Sequence, residues 1–388
     1  MLSAHLISRL QSVDWDFAGS TSESLFSAIH WYPARFASQI PATLIGLLTV
    51  PGELIVDPFA GSGTTLVEAQ RLSRRSVGID LNPIACMLGK AKTLAIPASE
   101  IQKLIQRAKV SAREALAQPG PLIGNRSEPM RVPIPSTVQT MWYTTRVREE
   151  LGILWRLVSR HKEPLSALTR AAFSAILLPV CRETRHWGYV CDNSTPHGNH
   201  SGNPLKEFCG ILDRFAAAYS DRDADLLATN GPKISVQPSD VKQGDALTEL
   251  RAIPPDSVDL VLTSPPYFGV SDYVKAQRLS MEWFGCDIEP LRLKEIGARS
   301  KRHRVSASRE YVEELGSVLH EVNRCLRPKG TCVLILGESA TRKSILEQVR
   351  TACTNSGLAL DLDLNRRVSS QRRQAPSITG EHLLVLTK

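Results

Sequence analysis

Four consecutive residues, Ser264-Pro265-Pro266-Tyr267, carry the densest chemical signal in the chain. Paired prolines stiffen the backbone and remove two N–H donors, so the Pro265 carbonyl stays free to accept, while Ser264 adds an oxygen and Tyr267 an aromatic face. Together they form an amine-recognition set. A second signal is DPFAGSGTT, Asp57 to Thr65, in which Gly61 and Gly63 let the backbone approach a ligand closely. It is not a phosphate loop, because the GK[ST] ending is missing, and it lacks the third Gly of the dinucleotide fingerprint. Asp80 follows Asp57 by 23 positions, where an acid ending the second strand of a βαβ unit can take both hydroxyls of a ribose.

These residues act together only if one edge of one sheet carries them. ELIVD (Glu53 to Asp57), TTLVEAQRL (Thr64 to Leu72) and SVGID (Ser76 to Asp80) read as strand, helix and strand around the Gly-rich turn, preceded by a helix from Ser38 to Thr49 that Pro51-Gly52 stops. The alternation resumes late, in ISVQPSDVKQGDAL, DLVLTSPPY, a helix near Tyr311 to Leu326, strand TCVLILG, a helix near Lys343 to Asn355 and terminal HLLVLTK. The apolar DLVL places TSPPY at a strand's carboxyl end, the edge that holds the Gly-rich turn. The expected fold class is α/β, a doubly wound Rossmann-like sheet with a mainly helical insertion. Its parts are 1–98, bearing the Gly-rich turn and Asp80; 99–233, the insertion, closing with a return linker over Ala224 to Gln237; and 234–388, bearing TSPPY.

Of the chain's 388 residues 42% are hydrophobic and 22% charged, which excludes wholesale disorder and fibrous repeats. No apolar run reaches membrane-span length and the start shows no signal-peptide pattern, so a cytoplasmic location and no membrane partner are expected. The eight Cys are scattered without a CxxC pair, as reduced thiols would be. The net charge of +8 is uneven: Pro290 to Arg309 holds seven Lys or Arg against one acid, Glu295. A basic loop of that density suits phosphate contacts.

DPFAGSGTT with GIDLNP and TSPPY resembles the S-adenosylmethionine-dependent DNA amino-methyltransferases, the N4-cytosine and N6-adenine enzymes. The resemblance covers about Ser27 to Thr93 and Ser235 to Lys388. It implies a methyltransferase sheet with S-adenosylmethionine as cofactor. By matching positions, Asp57, Pro58, Phe59, Gly61, Gly63 and Thr64 would lie along its methionine part, and Asp80, Leu81 and Asn82 at its ribose. In HWYPARF, Tyr32, Pro33 and Arg35 match the segment that closes over its carboxylate. Asp245 and Ala246 of QGDAL match the adenine-binding position, although Asp245 equally reads as a helix cap. Ser264, Pro265, Pro266 and Tyr267 become the catalytic set. The Ser form is more similar to N4-cytosine than to N6-adenine enzymes, with a cytosine flipped from double-stranded DNA and Tyr267 stacked on it. Such enzymes accompany restriction-modification or defence systems, so a cognate restriction endonuclease is an expected partner, and association with the nucleoid would follow from DNA. Adenine N6, an RNA substrate, or a non-catalytic DNA-binding regulator are the alternatives. No Pro-Cys dipeptide occurs, which disfavours the covalent cytosine C5 route.

Candidate nucleic-acid contacts are Arg299, Lys301, Arg302 and Arg304 of the basic loop, and Arg182, Arg185, Trp187 and Asn193 of the insertion, whose side chains suit phosphates, stacked bases and base edges. The insertion is expected to recognise the target sequence by its position. Arg366, Arg367, Arg372 and Arg373 form a further basic group in a late hairpin. Cys181, His186, Cys191, His197, His200 and Cys209 match no usual zinc spacing, and no metal is assigned.

Overall fold

Alternation along the strands decides the architecture. In the computed structural model, which describes residues 1–17, 23–33, 35–117, 137–185, 195–230, 236–338, 343–368 and 380–388, seven strands form one sheet. They are β1 (Leu54–Asp57), β2 (Arg75–Asp80), β3 (Ser239–Gln243), β4 (Val258–Thr263), β5 (Leu326–Glu338), β6 (Ala359–Arg367) and β7 (Gly380–Thr387), in the order β3-β2-β1-β4-β5-β7-β6. All pairings are parallel except those of β7, which runs antiparallel between β5 and β6.

Successive residues point to opposite faces, and both faces are covered. Ile55, Leu260, Leu262, Val333, Ile335, Leu383 and Val385 meet α1 (Ala4–Gln11) and α2 (Gln39–Leu48) on one side. Val56, Val261, Cys332, Leu334, Leu384 and Leu386 meet the helices Ala246–Arg251, Ala307–Cys325 and Lys343–Asn355 on the other. The doubly wound class is therefore as expected. Chain order reverses between β1 and β4, and a crevice opens at their carboxyl ends, the usual ligand position in such sheets.

α3 (Thr64–Arg71) follows β1, and α4 (Pro83–Lys92) follows β2, started by the Asn82 side chain accepting from Ile84 N at 2.9 Å with Pro83 at the first helical position. The stretch from Ser99 is mainly helical where described, with irregular backbone at 178–185 and 195–203: α5 (Ala98–Ala117), α6 (Thr137–Trp142), α7 (Thr145–Arg160), α8 (Leu165–Leu177) and α9 (Pro204–Asn230). Its apolar core is continuous with Ile84, Ala85 and Leu88 of α4 and with Trp283, whose ring lies 5.3 Å from Phe173. Fully buried Arg222 of α9 pins the return: it donates to the Leu94 and Ile96 carbonyls at 2.8 and 2.7 Å and to Asp223 at 2.6 Å. The linker expected from Ala224 begins instead as helix to Asn230, because Leu226 is buried and extends the apolar face.

Candidate functional site

At the crevice the Gly-rich turn is held by backbone bonds. Ala60 N donates to Ile79 O at 2.9 Å and Gly63 N to Ala60 O at 2.8 Å. Gly61 adopts φ +50°, and a Cβ there would sit 3.4 Å from the Tyr32 ring, so a bare backbone borders that ring. Gly63, at φ +84°, faces Gly89 of α4, whose Cα would lie 3.0 Å from an added Cβ. Its bareness thus serves helix packing.

Asp80 closes the turn from β2. Its two oxygens accept from Gly61 N and Asn82 N, both at 2.8 Å, and burial lifts its carboxyl to about 6. Asp57 is buried beneath, accepting from Thr263 Oγ1 at 2.6 Å and Phe59 N at 3.1 Å, and is likewise raised to about 6 by burial. It ties the end of β1 to the residue just before Ser264. Buried Lys92 donates to Ser62 O at 3.0 Å from below, and burial lowers its ammonium to about 7.

From β4, Ser264 Oγ donates to the Ile335 carbonyl of β5 at 3.2 Å. With its proton so engaged, the oxygen lone pairs are left to accept. Tyr267 is buried behind, its hydroxyl 2.9 Å from Glu381 Oε1, and Glu381 in turn pairs with buried Arg366 at 2.7 Å.

One cleft, about 900 Å³ with its open mouth included, gathers fourteen of the residues singled out in the sequence: Tyr32, Pro33, Arg35, Pro58, Phe59, Gly61, Thr64, Asp80, Leu81, Asn82, Asp245, Ala246, Ser264 and Pro266. Asp57, Gly63, Pro265 and Tyr267 are not among its lining residues. Asp245 also caps its helix, accepting from Thr248 N at 3.1 Å. The cleft adds a wall that sequence reading missed, Tyr273, Val274, Lys294, Glu295 and Ile296. The isolated acid in a basic loop was the visible clue to it.

The nucleic-acid candidates divide. Arg299, Arg302 and Arg304 are exposed, whereas Lys301 spends its ammonium on the Leu293 and Glu295 carbonyls at 2.9 and 2.6 Å. Arg185 chelates Glu183 at 2.8 and 2.7 Å, and Arg182 reaches Asn199 at 2.8 Å. Trp187 and Asn193 lie outside the described residues, as do Arg372, Arg373, His186 and Cys191. Arg366 is a buried ion-pair member and Arg367 donates its backbone N–H to Asp16 at 2.6 Å, so a phosphate-tracking role does not fit Arg366. Among the described residues no three His, Cys, Asp or Glu stand close enough to hold a metal ion, and no helix is long and apolar enough to cross a membrane.

Residues 11–90 match the sequence profile of the N6_N4_Mtase family, described as DNA methylase. The chain is 27% identical over 306 residues to the Type II methyltransferase M.MvaI of Kocuria varians, covering 74% of this chain and 64% of that protein. It is 22% identical over 434 residues to the Type II methyltransferase M.MjaII of Methanocaldococcus jannaschii, covering 92% and 80%. A shorter match joins it to the Type II methyltransferase M.PvuII of Proteus hauseri, 42% identical over 52 residues, or 13% of this chain and 16% of that one. The chain thus spans 64% of the length of M.MvaI, just under two thirds.

Proposed function

We propose that this chain, which belongs to the DNA amino-methyltransferase family, transfers a methyl group from S-adenosylmethionine to the exocyclic N4 amine of a cytosine flipped out of duplex DNA. The observation that carries the proposal is the shared cleft: Asp80, Gly61 and Ser264, from three separate strand ends, line one cavity. The lining fits the cofactor. A carboxylate anchored by two backbone N–H groups suits ribose hydroxyls, the bare Gly61 backbone leaves room for a close ligand, and Asp245 with Ala246 offers a place for adenine. Bound there, S-adenosylmethionine supplies an electrophilic sulfonium methyl.

The residues of the chain supply position. An exocyclic base amine is a poor nucleophile, because its lone pair is delocalised into the ring. Ser264 Oγ, its own proton held by Ile335 O, accepts from one amine hydrogen, and on this reading the carbonyl of Pro265, the residue between cleft-lining Ser264 and Pro266, is the second acceptor. Two such bonds favour a pyramidal nitrogen whose lone pair faces the methyl, and the nitrogen then releases one proton to water. Transfer of this kind depends on alignment and preorganised dipoles. A base inside a duplex hides its amine, so flipping must precede the reaction, at a cost of a few kcal/mol in lost stacking.

On this reading the insertion recognises the target sequence, the exposed Arg299, Arg302 and Arg304 track phosphate, and the enzyme works in the cytoplasm on nucleoid DNA, beside a restriction endonuclease of matching specificity. Labelled S-adenosylmethionine supplied with mixed-sequence DNA and RNA, followed by digestion to nucleosides and mass spectrometry, tests it. N4-methylcytosine from DNA is expected. N6-methyladenine would transfer the proposal to the adenine members of the family, and labelled RNA or no product with cofactor bound would overturn it.

A further inference from the structure

Glu295 is the one acid among the seven Lys and Arg of Pro290 to Arg309, and it does not behave as a loop residue. Arg299, Arg302 and Arg304 are exposed, while Glu295 is 5% exposed and lines the cleft. Its Oε1 accepts from the backbone N–H of Tyr273 and, at 3.2 Å, from that of Val274, the first two residues of the helix Tyr273–Ala276. Its other oxygen, Oε2, is buried with no hydrogen-bond partner among the described residues. A buried carboxyl oxygen left unpaired carries an uncompensated desolvation cost, which a ligand contact would return.

Asp80 and Glu295 line the same cleft as the Tyr32 and Tyr273 rings. The phenols of Tyr32 and Tyr273 are both held above the ordinary range, by burial first, with Asp80 and Glu295 adding in each case. Both rings line the cleft, and Tyr32 borders Gly61. Two acids, each anchored through backbone N–H groups, therefore address one nucleoside-sized space.

We infer that Glu295 is a second nucleoside-binding carboxyl, whose Oε2 donates a hydrogen bond to an acceptor atom of the bound cofactor, a ring nitrogen or a ribose oxygen, while Asp80 accepts from the ribose hydroxyls. The inference rests on the cofactor reading above. Burial lifts Glu295 to about 8; the Val274 and Tyr273 N–H groups and Lys301 oppose the rise, and Asp272 adds to it. At neutral pH the acid is thus largely protonated and able to donate. Among the described residues, Asp80, Asp245, Lys294 and Arg35 are the other charged groups lining the cleft. Because Lys301 Nζ also holds the Glu295 carbonyl at 2.6 Å, the same residue joins the basic loop to the cofactor space.

The test is calorimetric titration of the full chain with S-adenosylmethionine across pH 8, comparing wild type, Glu295→Gln and Glu295→Ala. Gln keeps an acceptor for Tyr273 and Val274 and places a donor at the Oε2 position, so E295Q should bind within about threefold of wild type at neutral pH, whereas E295A should bind about tenfold more weakly. Wild-type affinity should fall as pH rises through about 8 and E295Q affinity should not. Should E295A fail to fold, the pH comparison of wild type with E295Q decides. Equal affinity of E295A and wild type, an equal loss in E295Q and E295A, or a wild-type affinity flat through pH 8 would overturn the inference. A wild type that binds no cofactor at all would instead overturn the reading beneath it.

Discussion

The two walls of the cleft are built in different ways. On the sheet side, Phe59 to Thr64 and Asp80 to Asn82 are fixed by bonds between backbone atoms and by backbone N–H groups donating to the Asp80 and Asp57 carboxylates, over a floor of buried Asp57 and Lys92. On the facing side, Tyr273, Val274 and Lys294 to Ile296 belong to short helices and loops joined by two backbone bonds, Gly269 N to Gly297 O at 2.8 Å and Arg299 N to Ser271 O at 3.2 Å, and otherwise by the side chains of Glu295, Asp272 and Lys301. Backbone closure leaves one geometry available. A wall closed largely by side chains has a position that depends on a few titratable or cationic groups, a construction suited, on the proposed reading, to the side that admits DNA.

That contrast can be broken first at the exposed loop. Reversing Arg302 and Arg304 to Glu should weaken duplex DNA binding and lower the slope of log affinity against log salt by about two or more, roughly 0.9 for each phosphate no longer neutralised, while cofactor affinity stays unchanged. An unchanged salt slope in a filter-binding series would remove those residues from the interface. A smaller effect separates the walls by pH. Cofactor affinity should fall up to about tenfold per pH unit as pH drops below about 6, since Asp80 must be ionised to accept hydroxyls. The cofactor-free fold should respond with the opposite sign. Asp80 and Asp57 have folded values near 6, above the ordinary 3.8, so their contribution is fully present below about 3.8 and is lost as pH rises through 6. Thermal melts against pH, with and without cofactor, would show both slopes. The smallest effect is expected behind the cleft. Tyr267→Phe removes the hydroxyl bond to Glu381 and should cost about 1 kcal/mol of stability, measured by denaturant unfolding, provided Glu381 keeps its pair with Arg366.

The same contrast explains what could be read from the sequence. β1, α3 and β2 with the Gly-rich turn are local and regular, and their boundaries agree with the sequence reading to within a residue or two. Ser264 and Asp80 meet because strand ends in a doubly wound sheet converge, so their shared cleft was legible from two strand patterns and a topology rule. Gly63 and Asp57 share a motif with Gly61 and yet do not line the cleft, because a motif records that a residue type is needed without saying whether the need is ligand binding or packing. Glu295 showed in the sequence only as the lone acid of a basic loop, and Tyr273 not at all. Their pairing spans 22 positions and joins two short irregular segments, with no period or cap sequence to announce it. Arg366 misled by company, since its neighbours in sequence are basic while its neighbour in space is Glu381.

The central claim is a division of labour inside one cleft, in which Asp80 holds the cofactor and Ser264 holds the amine. Its most direct test measures cofactor dissociation constants and single-turnover methyl transfer at saturating cofactor for Ser264→Ala and Asp80→Ala side by side. Ser264→Ala should bind cofactor as wild type does and lose about 10²- to 10³-fold in transfer, the usual loss of one preorganised hydrogen-bond group. Asp80→Ala should lose cofactor affinity first and recover transfer as cofactor is raised. Equal loss of cofactor binding in both variants, or full transfer by Ser264→Ala, would contradict the account.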